Sequence, residues 1–545
     1  MSRTNWDETT DIIVIGSGSA GLSAALAARA GGAEVCILER SHMFGGTSAM
    51  SGGVAWIPNN HCMAEVGSSD TREAALTYLD SLSLGKTERV QLETFVDEGP
   101  SVIRFLEKAT SLRFRALRLP DYHPEFPGGT FGRAIAPEAQ GAKELGDLRP
   151  ALRPSPQFPV PLSLLDTERL AAGEDPLASP VVVERIEQDI VVSGGALIAG
   201  MVKAALAQKI SLRLKTRARS LFVDNGTVVG VGAEHDGKTL RFGARRGVIL
   251  ASGGFERNSA LTKEFIRGPL IGPSGSPSNE GDGLLMAMEI GAALGNMTEA
   301  WWMPSLHIPG EEYDGQPFYR MTAVERWMPG SIIVNRQGRR FVNEAHNYND
   351  IGRSFHSFDP VSFTYTNLPA WVIVHHGFLE RYAFLTRFPG DPIPNWLTTA
   401  PSLSALAAKI GVDAAGLEET VKRFNANALL GKDPDFHRGE SFYDRHLGDP
   451  SREGPLQTLG PLDEPPFYAM QVYPGALGTK GGPKTNERAE VLNVRGGLIP
   501  GLYAAGNVMA GVTGMAYAGA GGTIGPALVF GHIAGRNAAA TSNRF

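Results

Sequence analysis

Near its N-terminus the chain has an apolar run that passes directly into a glycine-rich turn, and this unit constrains the fold more than any other feature. Residues 11–15 (DIIVI) precede Gly16, Gly18 and Gly21, and an Ala-rich stretch and a second apolar run follow, ending at Glu39. Gly16 permits the tight turn, Gly18 lets the backbone approach a pyrophosphate, and Gly21 lets a helix pack closely on a strand. The helix N-terminus offers N–H groups to the diphosphate, and Glu39 can accept hydrogen bonds from ribose hydroxyls. The segment therefore predicts a βαβ unit that binds a dinucleotide.

Glycine-rich loops at both ends of the chain indicate which dinucleotide fits. Residues 45–53 (GGTSAMSGG) make a loop whose backbone can lie against a flat ring or a phosphate. Residues 501–507 (GLYAAGN) predict a second strand-to-loop element, and residues 519–526 (GAGGTIGP) open a helix with Pro526 in its first turn. The positive N-terminus of that helix could face the pyrimidine end of an isoalloxazine. Because both chain ends contribute to one site, we expect FAD rather than NAD.

Length and composition restrict the remaining classes. A chain of 545 residues exceeds one hydrophobic core, so two or more domains are expected. A hydrophobic content of 42% with 20% charged residues is typical of a soluble globular protein, and the net charge of −6 argues against a nucleic-acid surface. No apolar run reaches the length of a membrane span, residues 1–11 lack the apolar core of a secretory signal, and the two cysteines do not suggest a disulfide framework. We therefore expect a cytoplasmic protein without a membrane span or a nucleic-acid partner.

The sequence changes character twice along the chain. Residues 1–300 hold the βαβ unit and strand-like runs that return to it, residues 301–476 are richer in aromatic side chains, and residues 477–545 complete the nucleotide site. We predict an FAD-binding domain made from the first and last segments, with the middle segment inserted as a substrate domain.

Three shorter segments within these regions also carry structural predictions. Residues 72–110 have helical spacing in short pieces, broken near Gly85 and again at residues 99–100. Residues 118–180 are rich in Pro, Gly and Arg and predict a functional excursion over the site. Residues 339–340, two adjacent arginines, predict a solvated surface pair.

Taken together, these motifs resemble the flavoprotein superfamily of fumarate reductase and succinate dehydrogenase. The segments that carry the resemblance span nearly the whole chain: the N-terminal unit, 45–53 (GGTSAMSGG), 247–255 (GVILASGGF), 280–283 (EGDG) and 502–507 (LYAAGN). Within the superfamily the chain is most similar to the 3-ketosteroid Δ1-dehydrogenases, through 120–125 (PDYHPE), 340–348 (RFVNEAHNY) and 517–526 (YAGAGGTIGP). The resemblance implies an α/β fold, in which a Rossmann-like FAD-binding domain of the glutathione-reductase type carries an inserted α+β substrate domain.

The motifs and the resemblance assign a set of candidate FAD-binding residues. Most are glycines and small hydroxyl residues, which let backbone N–H groups reach phosphates and ring edges. Residues 45–53 contain no histidine that could link a flavin covalently, so we expect dissociable FAD, although His42 lies just upstream. The candidates are Gly16, Gly18, Ser19, Ala20, Gly21, Glu39, Arg40, Gly45, Gly46, Thr47, Ser48, Ser51, Gly52, Gly53, Ala251, Ser252, Gly253, Gly254, Asp282, Gly506, Asn507, Gly522, Thr523 and Ile524.

Desaturation beside a ring ketone requires a donor pair for the ketone oxygen, a base for the α-proton and a flavin N5 that accepts the β-hydride. The resemblance implies that the Tyr517 hydroxyl and the Gly521 N–H hold the oxygen. It further implies that Tyr348 is the base and that Tyr122 hydrogen-bonds to it and relays the proton. Because a free tyrosine titrates near pH ~10, we expect activity to rise toward alkaline pH. The implied function is FAD-dependent 1(2)-dehydrogenation of a 3-ketosteroid, with electrons passed to an external acceptor.

Other functions stay open at this stage. A desaturase of smaller, cyclohexanone-type ketones or a Δ4-dehydrogenase of 3-ketosteroids would use the same groups. A fumarate reductase-like activity needs cationic donors for a dicarboxylate, and residues 509–527 contain no Arg, His or Lys. A flavin-binding electron carrier would not need the aromatic-rich middle segment. No set of Cys, His and Asp has metal-ligand spacing in the sequence, so no metal is expected.

Overall fold

The computed structural model describes residues 5–167 and 179–544. Its helices are α1 (Ser19–Ala30), α2 (Gly46–Met50), α3 (Arg72–Ser83), α4 (Arg89–Ala109), α5 (Leu164–Thr167), α6 (Pro180–Gln188), α7 (Ser193–Ala207), α8 (Ser259–Phe265), α9 (Asp282–Glu289), α10 (Val324–Trp327), α11 (Tyr348–Ser354), α12 (His376–Arg381), α13 (Leu403–Ile410), α14 (Ala414–Ala428), α15 (Phe442–His446) and α16 (Ile524–Ala540). Its strands are β1 (Glu8–Ile15), β2 (Val35–Leu38), β3 (Ala55–Trp56), β4 (Phe114–Ala116), β5 (Ala134–Pro137), β6 (Gln140–Gly141), β7 (Ile190–Val191), β8 (Ser211–Arg213), β9 (Thr216–Asp224), β10 (Thr227–His235), β11 (Lys238–Leu250), β12 (Gly272–Pro273), β13 (Leu294–Gly295), β14 (Ala300–Leu306), β15 (Glu312–Tyr313), β16 (Gln316–Pro317), β17 (Arg320–Met321), β18 (Ser331–Asn335), β19 (Phe358–Asp359), β20 (Thr364–Tyr365), β21 (Ala370–His375), β22 (Thr398–Ala400), β23 (Phe467–Thr479), β24 (Gly482–Pro483), β25 (Glu490–Leu492) and β26 (Leu498–Ala504).

A largely parallel sheet forms the nucleotide-binding part of the fold. Its strands run in the order β25–β26–β11–β1–β2–β8, with β10 and β9 continuing from β11 as an antiparallel meander. β1 lies between β11 and β2 and pairs in parallel with both. The residues of β1 from Asp11 to Ile15 are all buried, as expected for a strand covered on both faces. The carboxyl ends of β1, β11 and β26 meet at one edge, which is where ligands bind in open α/β sheets.

Helices α1 and α16 join the two ends of the chain on this sheet. They pack so closely that a Cβ at Gly531 would lie 2.3 Å from Ala20 O, and one at Gly535 would lie 2.0 Å from Ala24 O. Ser23 Oγ also donates a hydrogen bond to Leu528 O at 2.7 Å. The apolar residues of both helices belong to the largest core of the protein. The C-terminal helix is thus an integral part of the nucleotide-binding layer.

A second, seven-stranded sheet is built from the middle of the chain. The path β17–β14–β23–β21–β18 is antiparallel throughout, and β12 and β22 pair with the long strand β23. Helices α13 and α14 bury apolar side chains against one part of it, including Leu406, Leu417 and Phe424. The structure thus combines a mostly parallel α/β layer with this antiparallel sheet, and the predicted α/β fold class is confirmed.

Two local predictions are corrected by the structure. The predicted helix break at residues 99–100 is wrong, because α4 continues through Pro100. Its inner face, which includes Phe95, Val102 and Ile103, is fully buried, and this packing outweighs the hydrogen bond that proline removes. The predicted surface pair at residues 339–340 is also wrong for Arg340, which is buried in an ion-pair cluster.

The segment at residues 118–180 contains regular structure as well as loops. β5 pairs antiparallel with β3 and with β4, so this part of the segment belongs to a small three-stranded sheet. Residues 168–178 of the predicted excursion lie outside the described residues. Among the helices that the structure describes, none is long and apolar enough to cross a membrane.

Candidate active site

One cavity of about 450 Å³ extends from the glycine turn after β1 to a group of buried tyrosines. Of the candidate FAD-binding residues, twenty line this cavity, as do Tyr122, Tyr348, Tyr517 and Gly521. The four that do not line it are Gly21, Gly45, Gly254 and Gly522. These four act through close packing: a Cβ at Gly21 would lie 2.0 Å from Gly16 O, and one at Gly254 would lie 2.4 Å from Thr479 Oγ1.

The first turn of the cavity wall is shaped for a diphosphate. Gly16 has φ +108°, and a Cβ there would lie 2.3 Å from Ala251 O, so only glycine fits between β1 and β11. The N-terminus of α1 follows at Ser19 and points its partial positive charge into the cavity. The side chains of Ser19 and Ser48 are hydrogen-bonded to each other at 2.9 Å. The glycine turn and the helix end therefore lie side by side in the cavity wall, where the sequence predicts an anion site.

Acidic and basic groups fix the adjoining end of the cavity. Glu39 Oε2 accepts hydrogen bonds from the amide and hydroxyl of Ser17, which ties the end of β2 to the glycine turn. Arg40 lies between Glu280 and Asp282, at 2.8 and 3.1 Å. Asp282 also pairs with Arg217 at 2.6 Å, so its carboxylate is engaged mainly with arginines. His42 is exposed and does not line the cavity.

The opposite end of the cavity is closed by four tyrosines that come from four separate segments. Tyr122, Tyr348, Tyr443 and Tyr517 are each less than a tenth exposed. The ring centroids of Tyr122 and Tyr517 are 5.2 Å apart, and those of Tyr348 and Tyr517 are 5.4 Å apart. Tyr443 packs on Tyr122 at 5.3 Å. The structure thus brings together all three predicted tyrosines and adds Tyr443, for which the sequence offers no local signal.

Local structure fixes where each predicted tyrosine points. Tyr348 is the first residue of α11, whose N-cap Asn347 accepts a hydrogen bond from the Asp350 amide. The Tyr122 amide donates to Ala518 O at 3.0 Å, which joins its loop to the segment that carries Tyr517. That loop is held from behind by Asp121, which pairs with the buried Arg133 at 2.7 Å.

Gly521 occupies a turn that only glycine can form. Its φ is +90°, and a Cβ would lie 2.6 Å from Val54 O. Its carbonyl accepts from the Trp56 amide at 3.0 Å and from the Gly525 amide at 2.9 Å. These bonds anchor the turn on β3 and on the start of α16, so its backbone stays fixed beside Tyr517.

Burial makes all four phenols weaker acids than free tyrosine. It raises the pKa of Tyr348 well above 10, while the hydrogen bond to Tyr122 acts in the opposite direction. Burial also raises the pKa of Tyr122 and that of Tyr517. Thr523 Oγ1 donates to the Tyr517 hydroxyl oxygen at 2.9 Å, which leaves the Tyr517 proton free to be donated. The site therefore contains protonated phenols at neutral pH, one of them prepared as a hydrogen-bond donor.

A buried lysine, Lys480, lies beside this donor. Lys480 Nζ is 3.9 Å from the Trp301 ring centroid and 6.0 Å from that of Tyr517, and it donates a hydrogen bond to Ala516 O. Burial lowers the pKa of Lys480 well below its usual value, and the nearby Arg353 adds to this effect. Lys480 follows β23 and is missed by an inspection of residues 509–527, because it reaches the site from another element.

Two histidines lie behind the tyrosines. His123 Nε2 is 2.9 Å and His346 Nε2 is 3.5 Å from Asp350 Oδ2. Burial lowers the pKa of His346, but hydrogen bonds to Asp350 and Asp444 outweigh it and raise the pKa to about 9. Both histidines are therefore paired with carboxylates, and neither lines the cavity.

A Rossmann-like βαβ unit, a diphosphate turn and a cavity completed by both chain ends define a flavoprotein. The chain belongs to the FAD binding domain family FAD_binding_2, whose model matches residues 11–524. Its predicted cofactor, FAD, and its predicted class, FAD-dependent oxidoreductase, are thereby confirmed.

Similarity to characterised proteins extends over the whole chain. A 4-oxocyclohexanecarboxylate 2-dehydrogenase of Sinomonas cyclohexanicum is 40% identical over 97% of this chain and 93% of its own length. A 3-oxosteroid 1-dehydrogenase of Mycobacterium tuberculosis is 38% identical over 96% of this chain and 97% of its own. The crystal structure of 3-ketosteroid Δ1-dehydrogenase from Sterolibacterium denitrificans with 1,4-androstadiene-3,17-dione gives a TM-score of 0.92 at 35% identity, covering 98% of this chain and 100% of that one. The predicted resemblance is confirmed.

Proposed function

We propose that this protein catalyses the FAD-dependent 1,2-dehydrogenation of a 3-ketosteroid. The observation that carries the proposal is the convergence of Tyr122, Tyr348, Tyr517 and Gly521 at one end of the cavity whose other end fits a dinucleotide. A base and a pair of oxygen-binding donors on one ring ketone are what α,β-desaturation requires.

The residues divide this chemistry as follows. FAD, when bound, supplies the acceptor for the β-hydride, and the glycine turn, residues 46–53 and the start of α16 would hold it. The Tyr517 hydroxyl and the Gly521 N–H donate to the ketone oxygen and stabilise the enolate-like charge that develops there. Tyr348 takes the α-proton, and Tyr122, whose ring packs on it at 5.4 Å, hydrogen-bonds to Tyr348 and passes the proton on. An external electron acceptor would take the two electrons removed from the substrate and so complete each turnover.

The walls of the tyrosine end suit an apolar ring system. The two cations that line the cavity are both engaged: Arg40 with Glu280 and Asp282, and Arg153 with Asp314 at 3.2 Å. A neutral steroid ketone therefore meets mainly apolar surface in this part of the described structure. Apolar residues of the cavity wall include Leu119, Phe158, Phe318, Met321, Trp327 and Leu447.

A smaller ketone with a carboxylate is the second candidate. It is favoured by the 40% identity to 4-oxocyclohexanecarboxylate 2-dehydrogenase. Arg326, next to the wall residue Trp327, is fully buried, pairs with no carboxylate among the described residues and leaves Nη2 without a partner. Its Nη1 donates only to the carbonyls of Glu344 and His346. A repositioned Trp327 would expose a cation to such a substrate.

An anaerobic titration separates the two candidates. The oxidised holoenzyme is mixed with androst-4-ene-3,17-dione, with 4-oxocyclohexanecarboxylate and with cyclohexanone, and bleaching of the flavin absorbance is followed. We expect the steroid to bleach the flavin and to be recovered as the 1,4-dien-3-one. Bleaching by the carboxylate alone would replace the steroid proposal with the second candidate, and no bleaching by any ketone would overturn both.

We place this reaction in the cytoplasm, where the free, buried Cys36 and Cys62 stay reduced.

A further inference from the structure

We infer that His375, Asp463 and Glu464 form a binding site for a divalent transition-metal ion such as Zn²⁺, separate from the active site. His375 is the last residue of β21, and the two carboxylates lie in the segment that precedes β23. One potential ligand atom from each residue lies within 4.8 Å of the other two. None of the three residues lines the FAD cavity.

The imidazole is the evidence that this cluster is built for a ligand. His375 is 1% exposed, yet neither of its ring nitrogens has a hydrogen-bond partner. A buried polar group without a partner costs stability, so folded proteins normally satisfy it with protein, water or an ion. The ring packs directly against Gly330, where a Cβ would lie 2.5 Å from His375 Nε2, so the imidazole is held in place by close packing.

The carboxylates of Asp463 and Glu464 also lack polar partners among the residues that the structure describes. Within the described part of the chain, Asp463 and Glu464 take part in no ion pair or side-chain hydrogen bond, and both are exposed to solvent. The Glu464 backbone is fixed, because its carbonyl accepts from the His376 amide at 2.9 Å. Two free carboxylates therefore stand beside one free imidazole.

A second histidine–carboxylate group in the protein shows what an internally satisfied cluster looks like. His123 and His346 both pair with Asp350, as described above. The Asn347 side-chain nitrogen lies 2.9 Å from Asp350 Oδ2 and 3.2 Å from His346 Nε2, so an amide occupies the space between these groups. We assign no ion to that group, because its members already neutralise one another.

One imidazole nitrogen and two carboxylate oxygens are suitable ligands for Zn²⁺, with water in the fourth position. Bond lengths of ~2.0–2.2 Å would bring the ligand atoms to about 3.4 Å from one another. The exposed carboxylates can make this movement by changing rotamers, while the buried imidazole stays in place. The ion would join the end of β21 to the segment that enters β23, and so stabilise one end of the ladder between these two neighbouring strands.

The test uses the FAD-loaded full chain after dialysis against EDTA and then against metal-free buffer. Zn²⁺ is titrated by isothermal calorimetry and the melting temperature is measured with and without it. The test variant Asp463→Gln/Glu464→Gln removes two charges at exposed positions. The matched control Glu418→Gln/Glu419→Gln removes two exposed charges on α14 of the same sheet layer.

We expect Zn²⁺ to raise the melting temperature of the wild type and of the control. The test variant should bind one Zn²⁺ fewer per chain, with at least a tenfold loss of affinity at that site, and lose the thermal shift. His375→Ala should do the same if it folds. An unchanged stoichiometry in the test variant, or no binding by the wild type, would overturn the inference.

Discussion

At the scale of single residues, the same side chain is given different tasks by its neighbours. Tyr517 accepts from Thr523 and so keeps its own proton available for an acceptor in the cavity. Tyr348 is hydrogen-bonded to Tyr122, and this bond counteracts part of the rise that burial imposes on the pKa of Tyr348. Near neutral pH the rate should therefore be limited by Tyr348, because little of this phenol is deprotonated and able to act as a base.

Replacing Tyr348 by Phe should remove the base while leaving binding intact. We expect the rate of anaerobic flavin reduction by the steroid to fall about 10²–10⁴-fold, the range of general-base contributions. In the wild type that rate should rise from pH 7 toward pH 10, because burial raises the pKa of Tyr348 and the phenolate fraction grows with pH. Stopped-flow absorbance measures the rate of flavin reduction in the variant and the pH dependence of that rate in the wild type. A flat wild-type profile would refute the assignment of Tyr348 as the base.

Replacing Tyr517 by Phe removes one of the two proposed donors to the ketone oxygen. The expected loss in the rate of flavin reduction is about 10²–10³-fold, which is typical of one oxyanion donor. FAD content should not change, because the ring still packs on Trp301 at 4.8 Å. Tyr468→Phe is the matched control: this tyrosine is also buried, but it belongs to the core of the second sheet and should leave the rate unaltered. Equal losses in both variants would count against a donor role.

At the scale of elements, the loop that delivers Tyr348 rests on a buried ion cluster. Arg340 pairs with Glu344 at 2.7 Å and with Asp433 at 2.8 Å, and Arg438 reaches Glu344 at 3.1 Å. The side chains of all four are at most 4% exposed. The cluster joins residues 340–344 to the segment after α14, so the start of α11 is held in place from behind.

Arg340→Met should therefore destabilise the protein strongly. Removing Arg340 takes away the cation that pairs with the buried Asp433, and breaking a buried ion pair in this way costs about 3–5 kcal/mol. Arg423→Met is the control, because Arg423 pairs with Asp435 at an exposed position where such pairs contribute under ~1 kcal/mol. Urea unfolding of both variants gives the free energies. Similar losses in the two would show that burial does not set the strength of the Arg340 cluster.

The Arg340 cluster also depends on contacts between distant segments, which the sequence alone does not predict. One of the two partners of Arg340, Asp433, lies 93 residues further on, and no local pattern near residues 339–340 encodes it. Tyr443 and Lys480 reach the site in the same way, from elements far from the recognised motifs. The glycine turns at Gly16 and Gly521 are different, because the local glycine-rich sequence is enough to predict them. Local motifs thus pointed to residues that line the cavity, while long-range packing determined the remaining wall and the ion pairs.

At the scale of the whole molecule, one cavity joins the first and the last helix of the chain. Residues of the glycine turn after β1, of the strand-to-loop element after β26 and of the start of α16 line it together. A ligand that binds there contacts segments about five hundred residues apart in sequence. Binding of FAD should therefore stabilise the nucleotide-binding layer as one unit, since a ligand that binds only the folded state adds to its stability.

FAD should be dissociable, and its loss should weaken the entire fold. Free FAD at 100 times its Kd should add about 2.7 kcal/mol to the free energy of unfolding, so the apoprotein should melt at a lower temperature and recover on reconstitution. After denaturation in acid and centrifugation, the yellow colour should stay in the supernatant. His42→Ala should behave like the wild type in both measurements, because His42 is exposed and lies outside the cavity lining. Flavin that remains with the precipitated chain of the wild type but not of this variant would instead identify His42 as a covalent attachment point.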